Sequence, residues 1–193
     1  MIFMTKKKDI FEIRIHGRGG QGAKTAAQLI VESAMDQGKE IQAFPEYGPE
    51  RTGAPMVTYA KISDKPIISY QPVLKPDVVI VIDPTLFERV DVAAGTDKDS
   101  VLIVNSTESA DKIKKKTKFL GKVYTVDATG ISIKNIGRNL PNTPMIGALI
   151  KVTGVIELKS VLEKVKNTFQ KKIGEEKTQA NISSIQDAYK EVK

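Results

Sequence analysis

Residues 17–25 read GRGGQGAKT and follow directly on FEIRIH (11–16), a run in which apolar and polar residues alternate. Phe11, Ile13 and Ile15 set against Glu12, Arg14 and His16 give the period of a strand with one wetter face. Beyond the glycines, Ala26, Ala27, Leu29, Ile30 and Ala34 fall at helical spacing and form an apolar stripe. A strand, a glycine-rich turn and a helix make an anion cradle for a physical reason. Glycines let the backbone approach a ligand closely, and the unbonded amides of the first helical turn face it with the helix dipole behind them. Gly17, Gly19, Gly20 and Gly22 supply the freedom, while Arg18 and Lys24 add positive charge.

Two nucleotide motifs overlap at this turn, and neither fits whole. Gly17, Gly19 and Gly22 satisfy G-x-G-x-x-G, but a dinucleotide site also wants an acidic residue at the end of the second strand to hold a ribose hydroxyl. Glu40 stands at that strand's beginning and Glu46 beyond its expected end. The first strand is also too polar for a central strand covered on both faces. For a triphosphate loop the lysine must directly follow the last glycine. Ala23 moves Lys24 and Thr25 one step along the helix, about 100° around its axis. DVVIVIDP (77–84) ends in Asp83 as a metal-holding strand does. A turn before PTLFERV explains that aspartate more simply.

The rest of the chain alternates strands and helices. GKEIQAF gives a second strand ending near Phe44, and PEYGPERTGAP (45–55), with three prolines and two glycines, reads as a loop. MVTYAKIS and PIISY, split by Asp64-Lys65, read as a hairpin. VVIVI is a strand covered on both faces. SVLIVNS (100–106) and KVYTVDAT (122–129) are two more, with SADKIKKK a helix between them. TPMIGALIKV, ELKSVLEKVKNTFQKKI and ISSIQDAYKEV are helices. The expected fold is α/β, three layers (α/β/α) around a mixed sheet with a Rossmann-like first strand, turn and helix. Residues 1–10 are read as an N-terminal extension and 11–193 as one domain.

Composition narrows the function. The 193 residues hold no cysteine and one histidine, which excludes cysteine-ligated clusters and argues against a self-contained zinc site. Net charge is +7, but the excess lies in lysine clusters such as KIKKKTK (112–118), read as solvated surface. With 6% aromatics and no Trp there is no stacking platform, so no nucleic-acid partner is expected. The N-terminal stretch has charges but no apolar core of a signal peptide, and no run is long enough to span a bilayer. A cytoplasmic protein without a membrane contact is expected.

The loop concentrates Glu46, Tyr47, Glu50, Arg51 and Thr52 between rigid prolines, and Arg51 has the fork that grips carboxylate or phosphate. If the second strand lies parallel beside the first, this loop and the glycine turn border one crevice. GRGGQG, then YGPERTGAP about 25 residues on, then NTPMIGAL (142–149), together resemble the gamma subunits of the 2-oxoacid:ferredoxin oxidoreductases, pyruvate:ferredoxin oxidoreductase among them. The resemblance runs from about residue 11 to 185. It departs at Arg51-Thr52-Gly53, where relatives often carry Arg-Gly or Arg-Arg-Gly.

The resemblance implies a subunit of a multi-subunit enzyme that oxidatively decarboxylates a 2-oxoacid on thiamine diphosphate. Electrons pass through 4Fe-4S clusters to ferredoxin, and acyl-CoA is released. Thiamine diphosphate and the clusters are then expected on the partner alpha, beta and delta subunits, and this chain alone is expected to be inactive. It implies coenzyme A near Gly17, Arg18, Gly19, Gly20, Gln21, Gly22, Lys24, Tyr47 and Arg51, with no catalytic or metal-ligating residue here. Two other readings stay open: a P-loop-like nucleotide-binding ATPase, and a purely structural scaffold. His16 is read as a local hydrogen-bonding residue, with phosphate contact or proton transfer as its functional alternative. Asn105 and Asp127 are read as caps or turn formers, Gly147 and Ala148 as close helix packing, and Asn142 as able to reach a ligand.

Overall fold

The computed structural model describes residues 8–47 and 53–193. Six strands and six helices follow in the order β1 (Ile10–Arg18), α1 (Ala23–Met35), β2 (Glu40–Tyr47), β3 (Pro55–Ser63), β4 (Val78–Val81), β5 (Val101–Asn105), α2 (Ala110–Thr117), β6 (Lys122–Val126), α3 (Ala128–Ile136), α4 (Asn142–Thr153), α5 (Leu158–Ile173) and α6 (Glu175–Glu191). The strands form one sheet in the order β2-β3-β1-β4-β5-β6. β1, β4, β5 and β6 run parallel, and β3 is antiparallel to both neighbours, so the sheet is mixed as expected.

The two faces are covered unequally. Ile13, Ile15, Ala60, Ile62, Val78, Ile80 and Ile103 point to one side and pack with the α1 stripe and with α4, α5 and α6 in the larger core. Ala26, Ala27, Leu29, Ile30 and Ala34 are all buried, as their spacing predicts. On the other side Val79, Val81, Leu102 and Val104 meet Ile113 of α2, Phe119 and Val92 in a smaller core. Helix α4 passes α6 so closely that a β-carbon on Gly147 would fall 2.1 Å from the Ile185 carbonyl oxygen.

Several expectations are corrected. The hairpin joins β2 to β3, and PIISY forms no strand. Its segment forms a strap without regular structure, held to β3 because buried Lys61 donates to the carbonyls of Ser69 (3.2 Å) and Gln71 (2.8 Å). β2 runs on through Pro45 to Tyr47 rather than ending near Phe44, which an edge strand tolerates because one side has no ladder. β3 stands between β2 and β1, so the first two strands are not adjacent. β1 is central and covered on both faces despite its polar residues. Arg14 is buried because its Nη2 donates to the carbonyls of Val92 (3.0 Å) and Ala94 (2.7 Å). β6 ends at Val126 rather than running to 129, because α3 begins at Ala128, a helix not expected from the sequence. The helix forms because Asp127 caps the Gly130 amide at 2.8 Å and Gly137, at φ 74°, ends it.

Candidate functional site

The chain leaves β1 toward β2 on one side of the sheet and leaves β4 toward β5 on the other, so the crevice between the ends of β1 and β4 is a topological switch point, the usual ligand position in open α/β sheets. Arg18 ends β1 there, and Asp83 follows β4. The Asp83 carboxylate accepts from Arg18 Nε and Gln21 Nε2, both at 2.9 Å, and from the Thr85 amide and hydroxyl at 3.0 and 2.6 Å. Burial alone would raise its pKa. The donors from Thr85, Gln21 and Arg18 outweigh that and hold it below the usual carboxylate value. Asp83 therefore starts the 3-10 turn Pro84–Glu88 and latches the glycine turn. Its carboxylate is engaged by these donors, and among the described residues no group of three or more acidic, histidine or cysteine side chains could hold a metal ion.

The latch changes what each cradle residue can do. Arg18 also donates to the Gly53 carbonyl (3.2 Å) and Thr85 Oγ1 (2.8 Å), so its guanidinium shapes the site instead of standing free in it. Gln21 closes the turn, accepting from the Arg18 amide at 2.8 Å while its own amide donates to the Arg18 carbonyl at 3.0 Å. Gly20 and Gly22 sit at φ 94° and 77°, a left-handed backbone that side chains resist. Gly17 leaves room for Ala23, whose Cβ a new β-carbon would meet at 3.4 Å. Gly19 pairs with the start of β3, donating to the Ala54 carbonyl (3.0 Å) and accepting from the Gly53 amide (3.1 Å). Although β2 is not beside β1, Gly53 and Ala54 are thus tied to the glycine turn. Arg51 and Thr52 lie outside the described residues. Tyr47 ends β2, and its backbone pairs with Met56.

Helix α1 begins at this turn with no side chain capping it and no acidic residue in its first turn. Lys24 is exposed there and makes no ion pair among the described residues. Unbonded amides, the positive end of the dipole and an ammonium group together favour an anion. The other predicted residues divide cleanly. Asp127 caps α3, as read from the sequence, whereas Asn105, read as a cap or turn former, ends β5 and bridges it to the Ile82 carbonyl and to Thr129. His16 departs from both of its readings. It is 3% exposed, and its Nε2 has no hydrogen-bond partner. Burial, reinforced by the Arg14 guanidinium, lowers its pKa to about 3, so at neutral pH it is an uncharged imidazole.

Two residues that complete the site were underrated in the sequence. Asp83 organises the turn, and the signal was its place at the end of an apolar strand. Asn142 opens α4 with its side chain against Gly22. Nothing in local spacing brings positions 22 and 142 together.

The model of the family described as pyruvate ferredoxin/flavodoxin oxidoreductase matches residues 12–191. Pyruvate synthase subunit PorC of Thermotoga maritima is 46% identical over 190 residues, 98% of each chain. The crystal structure of pyruvate oxidoreductase subunit PORC from that organism superposes with a TM-score of 0.87 at 44% identity, covering 96% of this chain and 98% of that one. The common gamma subunit of the pyruvate/ketoisovalerate oxidoreductases of Thermococcus kodakarensis is 45% identical over 172 residues, 89% of this chain and 93% of the relative. More distantly, a 2-oxoglutarate:ferredoxin oxidoreductase from Magnetococcus marinus, solved with 2-oxoglutarate, coenzyme A and succinyl-CoA bound, shares the fold. The TM-score is 0.76 at 19% identity, over 94% of this chain and 31% of that one. With matches spanning nearly its whole length, the chain belongs to the pyruvate ferredoxin/flavodoxin oxidoreductase family.

Proposed function

We propose that this chain is the gamma subunit of a multi-subunit pyruvate synthase, the enzyme that converts pyruvate, CoA and oxidised ferredoxin to acetyl-CoA, CO2 and reduced ferredoxin, and that its glycine turn forms part of the CoA site. The observation that carries the site assignment is the uncapped start of α1, which stands at a switch point with Lys24 in its first turn. CoA bears phosphates at its nucleotide end, and an amide cradle with a nearby cation is the chemistry that holds them. Lys24 and Arg51 are assigned to the phosphates and Tyr47 to the rim. Arg18, Gln21 and Asp83 fix the turn's shape.

The sequence holds no cysteine, so the 4Fe-4S clusters are assigned to partner subunits, and thiamine diphosphate with them. Alpha, beta and delta subunits are the proposed partners, with ferredoxin meeting the complex. A relative shared between pyruvate and ketoisovalerate oxidoreductases fits the same division, since a subunit common to two substrates does not choose between them. The proposed location is the cytoplasm; no described helix is long and apolar enough to cross a membrane.

Replacing Lys24 or Arg51 by Ala in the assembled enzyme tests the CoA assignment. Each is expected to raise the KM for CoA by about three- to tenfold, with kcat at saturating CoA and subunit composition unchanged, the signature of lost binding. Weakened assembly with an unaltered KM for CoA would leave the chain a scaffold.

A further inference from the structure

The first turns of two helices meet at Gly22. Gly22 is the N-cap of α1, and α4 opens at Asn142 with Pro141 as its N-cap. A β-carbon on Gly22 would stand 2.6 Å from Asn142 Nδ2 and 2.7 Å from its Cγ, so the carboxamide lies directly on the start of α1. Neither helix has a side-chain cap or an acidic residue in its first turn, the groups a bare N-terminus ordinarily recruits. Asn142 is only 8% exposed, and among the described residues its carboxamide makes no hydrogen bond. Its body is packed away while its amide nitrogen and oxygen are not among the buried polar atoms left without a partner, so the carboxamide is held in place with its hydrogen-bonding capacity open to a ligand.

We infer that the Asn142 carboxamide, with the first-turn amides of α1, binds a phosphate group of the coenzyme. The inference rests on the CoA reading and adds to it a residue 120 positions from the glycine turn, in a different helix. Nδ2 donates to a phosphate oxygen beside the α1 amides, and the two helix starts, with no acidic residue in either first turn, supply positive potential. The same contact explains why position 22 is glycine: any side chain there would displace Asn142.

The test uses the assembled enzyme with Asn142→Asp, Lys24→Ala and the unaltered chain, and measures KM and kcat with CoA and with 3′-dephospho-CoA. Aspartate keeps the shape of asparagine and suits a helix start, so folding is expected to be unharmed. It places a negative charge where the phosphate would bind. The expected result is a rise of about tenfold or more in the KM for CoA, about 1.4 kcal/mol, at unchanged kcat and subunit composition. If the rise disappears with 3′-dephospho-CoA, the bound group is the 3′-phosphate; if it persists equally, the group is the diphosphate. Either pattern supports the inference. An unchanged KM in Asn142→Asp beside a raised one in Lys24→Ala would overturn the role of Asn142 and leave the CoA site standing. Unchanged values in both would remove the CoA reading itself.

Discussion

His16 offers a prediction whose size follows from its surroundings. It lies in the central strand between Val57 and Val81, 3% exposed, with Nε2 unpartnered and the Arg14 guanidinium close enough to repel a proton. Its pKa falls from 6.5 to about 3 in the folded chain. Between those values the unfolded chain binds a proton that the folded chain does not, so stability is full above about pH 6.5 and declines as the pH drops toward 3. Each unit is about 1.4 kcal/mol, which makes the His16 contribution at pH 5 a loss of about 2 kcal/mol. His16→Leu removes the titration and the orphaned nitrogen together, and at pH 8 it should be neutral to slightly stabilising. Urea unfolding of both chains at pH 5 and pH 8 gives the comparison. Asp83, Asp97 and Asp187, whose pKa values are lowered from 3.8, and Glu12, whose value is raised, are common to both proteins and cancel in the comparison. The wild-type loss should therefore exceed that of His16→Leu by about 2 kcal/mol. Equal losses would refute the buried neutral imidazole, and a proton-transferring His16 would be back in question.

Other perturbations test separate parts of the structure. Gly147→Val must push α4 from α6, since its β-carbon would begin 2.1 Å from the Ile185 carbonyl oxygen; a loss of about 3 kcal/mol in urea unfolding is expected, and a loss below about 0.5 would mean the helices cross more loosely. Asp83→Ala strips the acceptor from Arg18, Gln21 and Thr85, and should lower stability by about 2 kcal/mol while speeding proteolysis between residues 18 and 22; an unchanged cleavage rate would sink the latch. Lys61→Met removes the donor to the Ser69 and Gln71 carbonyls, so limited proteolysis should cut the 64–75 strap several times faster, and equal rates would show that the strap is held elsewhere.

Much of the fold is written in local pattern. The α1 stripe, the apolar run that becomes β4 and the helical periods of α4 and α5 each follow from burial on one or both faces, and burial leaves its period in the sequence. What failed were choices settled by distant partners. Ile67 to Tyr70 have strand composition, yet the Ser69 and Gln71 carbonyls go to Lys61, and Ile68 and Tyr70 stay 89% and 79% exposed. β1 looked too polar for the centre of a sheet because the two carbonyls that accept from Arg14 Nη2 lie about 80 residues away. At the candidate site the glycine turn announces a strand-to-helix cradle, whereas the loop beyond β2 was placed beside it on the expectation that β2 adjoins β1, which the sheet order does not keep. That Arg18 is tied to Asp83, and that Asn142 closes on Gly22, depend on the order β1-β4 and on α4 starting beside α1; neither has a local signature.

The measurement that bears most directly on the central claim is purification of the tagged chain from its native host, followed by a subunit gel, a visible absorption spectrum and a dye-reduction assay. The account predicts a brown complex in which this chain co-purifies with cluster- and thiamine-bearing partners, and which reduces the dye only when pyruvate and CoA are both present. A colourless single species, inert with both substrates, would contradict it.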